Sequence, residues 1–312
     1  MSTQVTFAVH PGFVHTGSTE LRVFQLIRLL EKQLGEQYSF SVSNLPKNKL
    51  SRQIIWALSQ PKGSVVVFSK WSLLRLSDRT LRILRARGVK TCLDYVDMDL
   101  REARRFHPDI HIAASLTAAR HLKEQTRHAE LRADKSEVFL IHHNLDDRFP
   151  VTQARNLDKV KCAYFGAIEN TVQTEKIREK VTFIKADLSE NIVDVFHRLS
   201  DFNAHYCIRE QSQTSEIIAK PFTKGFVASH LAAPVLIDAN VDDALELLGE
   251  DYPFVTKDIS EESILRGLEQ LASDFGSAKW IEAQRRVVGL KDYYTPEAVA
   301  NQFHEMVQGT LQ

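Results

Sequence analysis

Three cations and a threonine cluster in the run 204–238, which reads AHYCIRE, a polar stretch, then AKPFTKGFVASHLAAPVLID. Arg209 ends an apolar strand, and Lys220, Pro221, Thr223 and Lys224 open a helix that leads to a second apolar strand at 234–237. Proline is favoured at the first helical position, and the exposed amides there carry about half a positive charge. Cations at that end oppose the helix dipole, so their placement makes sense where an anion sits among them. A diphosphate fits. Taken alone, Lys220 and Lys224 would be solvated charges and Pro221 a helix starter. The flanking strands favour binding, because ligands of open α/β sheets sit at the C-terminal ends of strands.

Other chemistry-bearing residues follow strands in the first half. In HPGFVHTGSTE, Gly12 and Gly17 permit close backbone approach to a substrate, and His15 is a candidate base or hydrogen-bond donor. DYVDMDL, residues 94–100, places carboxylates at a strand end, with Asp97 a candidate base. IHHNLDDR, residues 141–148, carries His142 and His143. Their side chains alternate along an extended strand, so both cannot easily face one metal, and one of them is expected to face substrate. The pairs His107 with His111 and His121 with His128 lack a third ligand at useful spacing and read as surface or helix residues. Cys92, Cys162 and Cys207 lie far apart inside expected strands, which suits buried reduced thiols.

These residues must be positioned by a framework of alternating elements. Expected strands at 5–10, 40–44, 64–69, 90–96, 110–114 and 137–142 alternate with helices near 18–34, 50–59, 77–87 and 117–132. A polar run at 146–157, DDRFPVTQARNL, reads as a linker. Strands at 160–165, 181–185, 204–208, 234–237 and 254–256 then alternate with helices near 171–179, 191–199, 221–232, 242–248 and 261–275, before two closing helices at 278–290 and 296–307. Such alternation predicts an α/β protein with two Rossmann-like domains and a ligand cleft between them. The expected division is 1–150, 158–276, and a closing segment 277–312 that packs back on the N-terminal domain.

Composition bounds the function. The 312 residues are 43 % hydrophobic and 26 % charged, with 40 basic and 40 acidic residues, so no global field favours nucleic acid or an anionic surface, and any basic site is local. The longest apolar runs are too short to cross a bilayer and the N-terminus lacks signal-peptide regions, so a cytoplasmic location is expected.

The segment KPFTKGFVASHLAAPVLI resembles the donor-binding segment of GT-B glycosyltransferases, and YCIRE resembles the strand end that supplies an arginine to the donor diphosphate. KCAYFGAIEN is similar to the turn that starts the nucleotide-binding domain of that class. The resemblance implies transfer of a sugar, hexosyltransferase fashion, from a nucleotide-sugar donor to a glycan or other hydroxyl acceptor, as in polysaccharide biosynthesis. It implies an acceptor-side N-terminal domain and a donor-side C-terminal domain in which Arg209, Lys220, Thr223, Lys224, Gly166 and Asn170 hold the donor. Gly12, Gly17, His142 and His143 fall on the acceptor side, with Asp97 and His15 as catalytic candidates. No cofactor, metal or nucleic acid is implied, and peripheral membrane association is compatible with the class. Asp97, Met98 and Asp99 also spell the DxD by which GT-A glycosyltransferases hold a divalent metal, but two Rossmann-like domains in series point to GT-B. Retaining members carry two glutamates seven apart, whereas Glu210 and Glu216 are six apart, which leaves the stereochemistry open.

Two rivals share the layout: a sugar-nucleotide epimerase, which needs no acceptor, and a non-catalytic GT-B-like binding protein. A NAD-type dehydrogenase is disfavoured, because HPGFVHTGSTE is not a Gly-x-Gly-x-x-Gly turn.

Overall fold

The computed structural model describes residues 2–47, 50–130, 136–150, 157–186, 191–210 and 217–311. Glu216, the end of the helix expected at 117–132 and half of the expected linker at 146–157 lie outside the described residues. The chain forms two compact units. Of the described residues, the first unit takes 2–144, 217–221 and 295–311, and the second takes 145–210 and 222–294.

The first unit is a six-stranded parallel sheet of β1 (Thr3–Val9), β2 (Tyr38–Asn44), β3 (Val65–Phe68), β4 (Lys90–Asp94), β5 (Ile110–Ala113) and β6 (Glu137–Leu140), in the order β2-β1-β3-β4-β5-β6. Strand β3 is an unbroken apolar run because helices cover both sheet faces. Val65 and Val67 join one core with Val23, Leu30 and Phe303, while Val66 and Phe68 join the other with Trp56, Leu81 and Leu122. The helix Pro296–Leu311 belongs to this unit, where Phe303, Met306 and Val307 meet Val5 and Phe7, and the Thr295 hydroxyl caps its first turn through the Ala298 amide.

The second unit is a five-stranded parallel sheet of β7 (Cys162–Gly166), β8 (Val181–Lys185), β9 (Ala204–Tyr206), β10 (Val235–Asp238) and β11 (Val255–Thr256), in the order β11-β10-β9-β7-β8. Both units are α/β with the Rossmann-like alternation that the sequence predicts. Cys92, Cys162 and Cys207 are buried free thiols, although Cys207 stands one residue beyond the end of β9.

Three helices depart from the sequence reading. The helix expected over 18–34 contains a π-helical stretch, Glu20–Gln25, between the turn Gly17–Thr19 and the α-helix Leu26–Leu34. The wider π turn shifts the side-chain register, and Arg22, Val23 and Gln25 are all buried. Only Glu175–Arg178 is helical in the expected helix 171–179, because Thr171 is extended and its hydroxyl donates to the Ile208 carbonyl at 2.7 Å. The helix expected to open at Pro221 opens at Thr223, with Phe222 as its cap residue in a non-helical conformation. The buried Phe222 ring folds over the first turn, and a Cβ at Gly225 would stand 2.1 Å from it.

Candidate functional site

In the second unit, parallel register brings the C-terminal ends of β7, β9 and β10 to one edge of the sheet, beside the helix Thr223–His230. Strand β7 ends at Gly166, whose φ of 127° is unfavourable for any residue with a side chain. The Lys224 ammonium fills the space a side chain would need, 3.3 Å from a hypothetical Cβ. The same ammonium lies 4.7 Å from the centre of the Tyr164 ring and 5.5 Å from that of Phe165, both cation-π distances. Tyr164 is fixed by donating its hydroxyl to the Ala167 carbonyl at 2.8 Å.

Arg209 reaches the same edge from the segment after β9. The Glu210 amide donates to the Asn170 carbonyl at 3.2 Å and Thr171 holds Ile208, so the turn Ile168–Asn170 is laced to the residues flanking Arg209. Burial pushes the Tyr164 hydroxyl up to about 12, against the pull of Arg209. Burial likewise pushes the Cys207 thiol up to about 12, while Lys224 and then Arg209 pull it down. Both cations therefore act on one small neighbourhood. The Arg209 guanidinium also stands 4.0 Å from the Asp242 carboxylate, a loose contact for an arginine, whose charge-assisted hydrogen bonds run nearer 2.7–2.9 Å. Thr223 is the first residue of the helix, and its cap residue Phe222 offers no side-chain hydrogen bond to the opening amides.

Lys220 is grouped with the first unit. It belongs to the run 217–221 of the first unit, where Ala219 enters the core with Leu93 and Ala103, and the Ile217 carbonyl accepts from the Leu100 amide at 2.9 Å. Its charge acts on Lys70, whose ammonium is held below the usual lysine range first by burial, against the pull of Asp97 and Asp94, and then by Lys220.

The first unit gathers a second polar group at its strand ends. Arg22 donates from Nε to Asp94 at 2.8 Å and from Nη1 to the carbonyls of Ile141 and His142, and both partners of the ion pair are buried. His142 is pushed down to about 4 by burial and by Arg22, and its amide donates to Gln302 Oε1 at 2.9 Å. His143 is held well below the usual histidine range by burial, then by Arg22, His142 and Lys70. Both histidines are buried, and burial favours the neutral form of each.

Asp97 is half-buried with a left-handed backbone, φ 51°, an unusual conformation for a non-glycine residue at a strand end. Asp99 differs: Arg101, with its amide and guanidinium, and the Ile217 amide hold its carboxyl down to about 2. Among the described residues, no group of three or more His, Cys, Asp or Glu side chains is arranged to hold a metal. His15 is exposed. Gly17 begins the first helical turn, and the space at Gly12 is taken by the His10 ring, whose Nδ1 accepts from the Gly12 amide at 3.0 Å.

Sequence reasoning missed Arg22, which sits among apolar residues in a helical run and carries no signal that a π turn will bury it. It also missed Asp242 and the aromatic bed under Lys224. The Tyr-Phe-Gly order at the end of β7 was the available signal for the latter.

No protein-family model matches this sequence, and no curated protein sequence matches it. Solved structures do match in fold. A glycosyltransferase from Rickettsia africae ESF-5 aligns over 100 % of this chain and 99 % of its own at a TM-score of 0.67 and 10 % identity. The lipopolysaccharide outer core galactosyltransferase WaaB aligns over 98 % of this chain and 99 % of its own at 0.62 and 9 % identity. Anabaena Alr3699/HepE, solved in complex with UDP-glucose, aligns over 98 % of this chain and 99 % of its own at 0.60 and 10 % identity. With two parallel Rossmann-like units and this likeness running from end to end, the chain has the GT-B glycosyltransferase fold.

Proposed function

We propose that this protein is a glycosyltransferase that moves a sugar from a nucleotide-sugar donor to a hydroxyl of a glycan or other acceptor. The observation that supports the reading is that Lys224, beside Gly166 at the opening of the helix Thr223–His230, and Arg209 both act on the buried Cys207 at the strand ends of the second unit. Transfer builds negative charge on the departing diphosphate while the anomeric carbon becomes cation-like. A guanidinium, an ammonium and the opening of a helix meet that charge with positive groups already in place. Arg209 grips phosphate oxygens as a fork, Lys224 acts as a compact charge, and Thr223 donates one hydrogen bond. Gly166 leaves room for the Lys224 ammonium at the strand end, and the turn ending at Asn170 lets the donor approach the backbone.

The neighbour HepE was solved with UDP-glucose, which supports a uridine-type nucleotide sugar as the first donor to try. In the first unit, Asp97 is assigned as the base that accepts the acceptor hydroxyl proton, its carboxylate balanced by Lys70. His15 is assigned to acceptor contact. The cations of the chain itself serve the leaving group, so no metal is assigned.

Thermal shift against a panel of nucleotide sugars, followed by product analysis with and without a chelator, tests the reading. Stabilisation by one donor, transfer or hydrolysis of its sugar, and indifference to chelation are expected. Conversion of the sugar on its nucleotide would make the protein an epimerase. Stabilisation without any turnover would make it a binding protein.

A further inference from the structure

The even charge balance of the whole chain hides a local excess of basic residues, part of which is exposed on one face. Residues 45–90 contain eleven lysines and arginines and one acidic residue, Asp78. Two helices of this stretch, Leu50–Ser59 and Asp78–Ala86, lie side by side on one face of the first sheet. Thr80 donates to Gln53 at 2.7 Å, and Gln53 donates to the Arg75 carbonyl at 2.7 Å. Their inner faces put Trp56, Ala57, Leu81 and Leu84 into the core, so the opposite faces point to solvent.

Those outer faces are basic and apolar together. Arg52, Arg79 and Arg82 are exposed, as is Lys62 just after the first helix. Arg82 shares Asp78 at 3.5 Å, but no carboxylate among the described residues pairs with Arg52, Lys62 or Arg79. Between these cations Ile55 is 68 % exposed and Leu58 49 %, and Leu74, beside the Arg75 that Gln53 grips, is 62 % exposed. Seven large hydrophobic side chains of the described chain are exposed; Ile55 and Leu58 stand on the first of these helices, and Leu74 ends the turn Lys70–Leu74 that precedes the second. Single exposed apolar residues are ordinary, whereas apolar side chains set among unpaired cations form a surface with two complementary halves.

We propose that the outer face of these two helices docks on an anionic lipid bilayer, the cations meeting lipid phosphates while Ile55, Leu58 and Leu74 enter the headgroup–acyl boundary. Charge complementarity selects an anionic surface. The exposed aliphatic side chains select a bilayer over a nucleic acid, which would stack its bases on aromatic groups. This contact does not depend on the transferase reading, and its test needs no turnover.

Co-sedimentation tests it, using vesicles of pure phosphatidylcholine and vesicles containing about one third phosphatidylglycerol. The full chain is expected to pellet with the anionic vesicles at low salt, to stay in solution with neutral ones, and to release as salt is raised. The double variant Arg52→Glu, Arg79→Glu should lose at least about tenfold in partitioning. Ile55→Ser with Leu58→Ser should also weaken binding at unchanged charge, with an unchanged melting temperature showing that the fold is kept. No pelleting with anionic vesicles at low salt overturns the proposal. So does full retention by the charge-reversed protein, or polyuridylate binding that displaces the vesicles and is indifferent to the serine variants. If a variant does not fold, the lipid and salt dependence of the unaltered protein decides.

Discussion

Gly166 and Lys224 meet through the atom that glycine lacks: a Cβ at Gly166 would lie 3.3 Å from the Lys224 ammonium. The strand end is thus shaped around a cation that comes from a helix 58 residues further along the chain. The backbone angle at Gly166, φ 127°, would strain any replacement as well. Gly166→Ala is expected to weaken donor binding and to displace Lys224 while leaving the protein folded. Isothermal titration with the donor found by thermal shift, set beside the melting temperature, separates the two effects.

Arg209 and Lys224 carry the leaving-group reading. If each supplies about 3 kcal/mol to the transition state, Arg209→Ala and Lys224→Ala should each lower kcat roughly a hundredfold or more. Lys220→Ala, on the run packed with the first unit, should cost much less. Steady-state kinetics of the three variants check the order, and unchanged kcat in the first two would end the proposed grip.

Phe222 and Gly225 decide where the helix begins. Since a Cβ at Gly225 would come within 2.1 Å of the Phe222 ring, Gly225→Ala must expel the ring or shift the helix. The expected cost is about 1–3 kcal/mol, as for other overpacked cores. Paired with Phe222→Ala, which vacates the space, the loss should be less than additive. Chemical denaturation of the single and double variants measures the coupling.

Arg22 and Asp94 form a buried ion pair at 2.8 Å. Removing one partner leaves the other charge buried, so Arg22→Met or Asp94→Leu should destabilise the protein by about 3–5 kcal/mol, and the double replacement should recover part of the loss. Urea unfolding reads both. A double variant as unstable as the singles would show that the carbonyl contacts of Arg22 matter more than the pair.

Low pH should destabilise the fold through its buried histidines. His111, His142 and His205 are each pushed down to about 4, with burial the first cause. Their folded values lie below the ordinary value of 6.5, so the unfolded chain binds more protons between these limits and stability falls as pH drops from about 6.5 towards 4. Each contributes on the order of 3 kcal/mol across that window. His205 is the cleanest probe, because neither ring nitrogen has a hydrogen-bond partner among the described residues and its ring sits against Phe165. His205→Phe should flatten the fall in melting temperature between pH 7 and pH 5. An unaltered slope would show that this ring titrates alike in the folded and unfolded chains.

The sequence by itself determined the eleven strands, their division between two sheets and the α/β class, because parallel strands covered on both faces must be apolar runs separated by amphipathic helices. It also marked Arg209, Lys224 and Gly166, whose types suit an anion at strand ends. Tertiary structure alone decided that Lys220 joins the first unit, that Phe222 and Gly225 move the helix start to Thr223, and that a π turn buries Arg22 beside Asp94. Each of these depends on which distant groups compete for one space or one charge, and hydrophobic period carries no record of that competition.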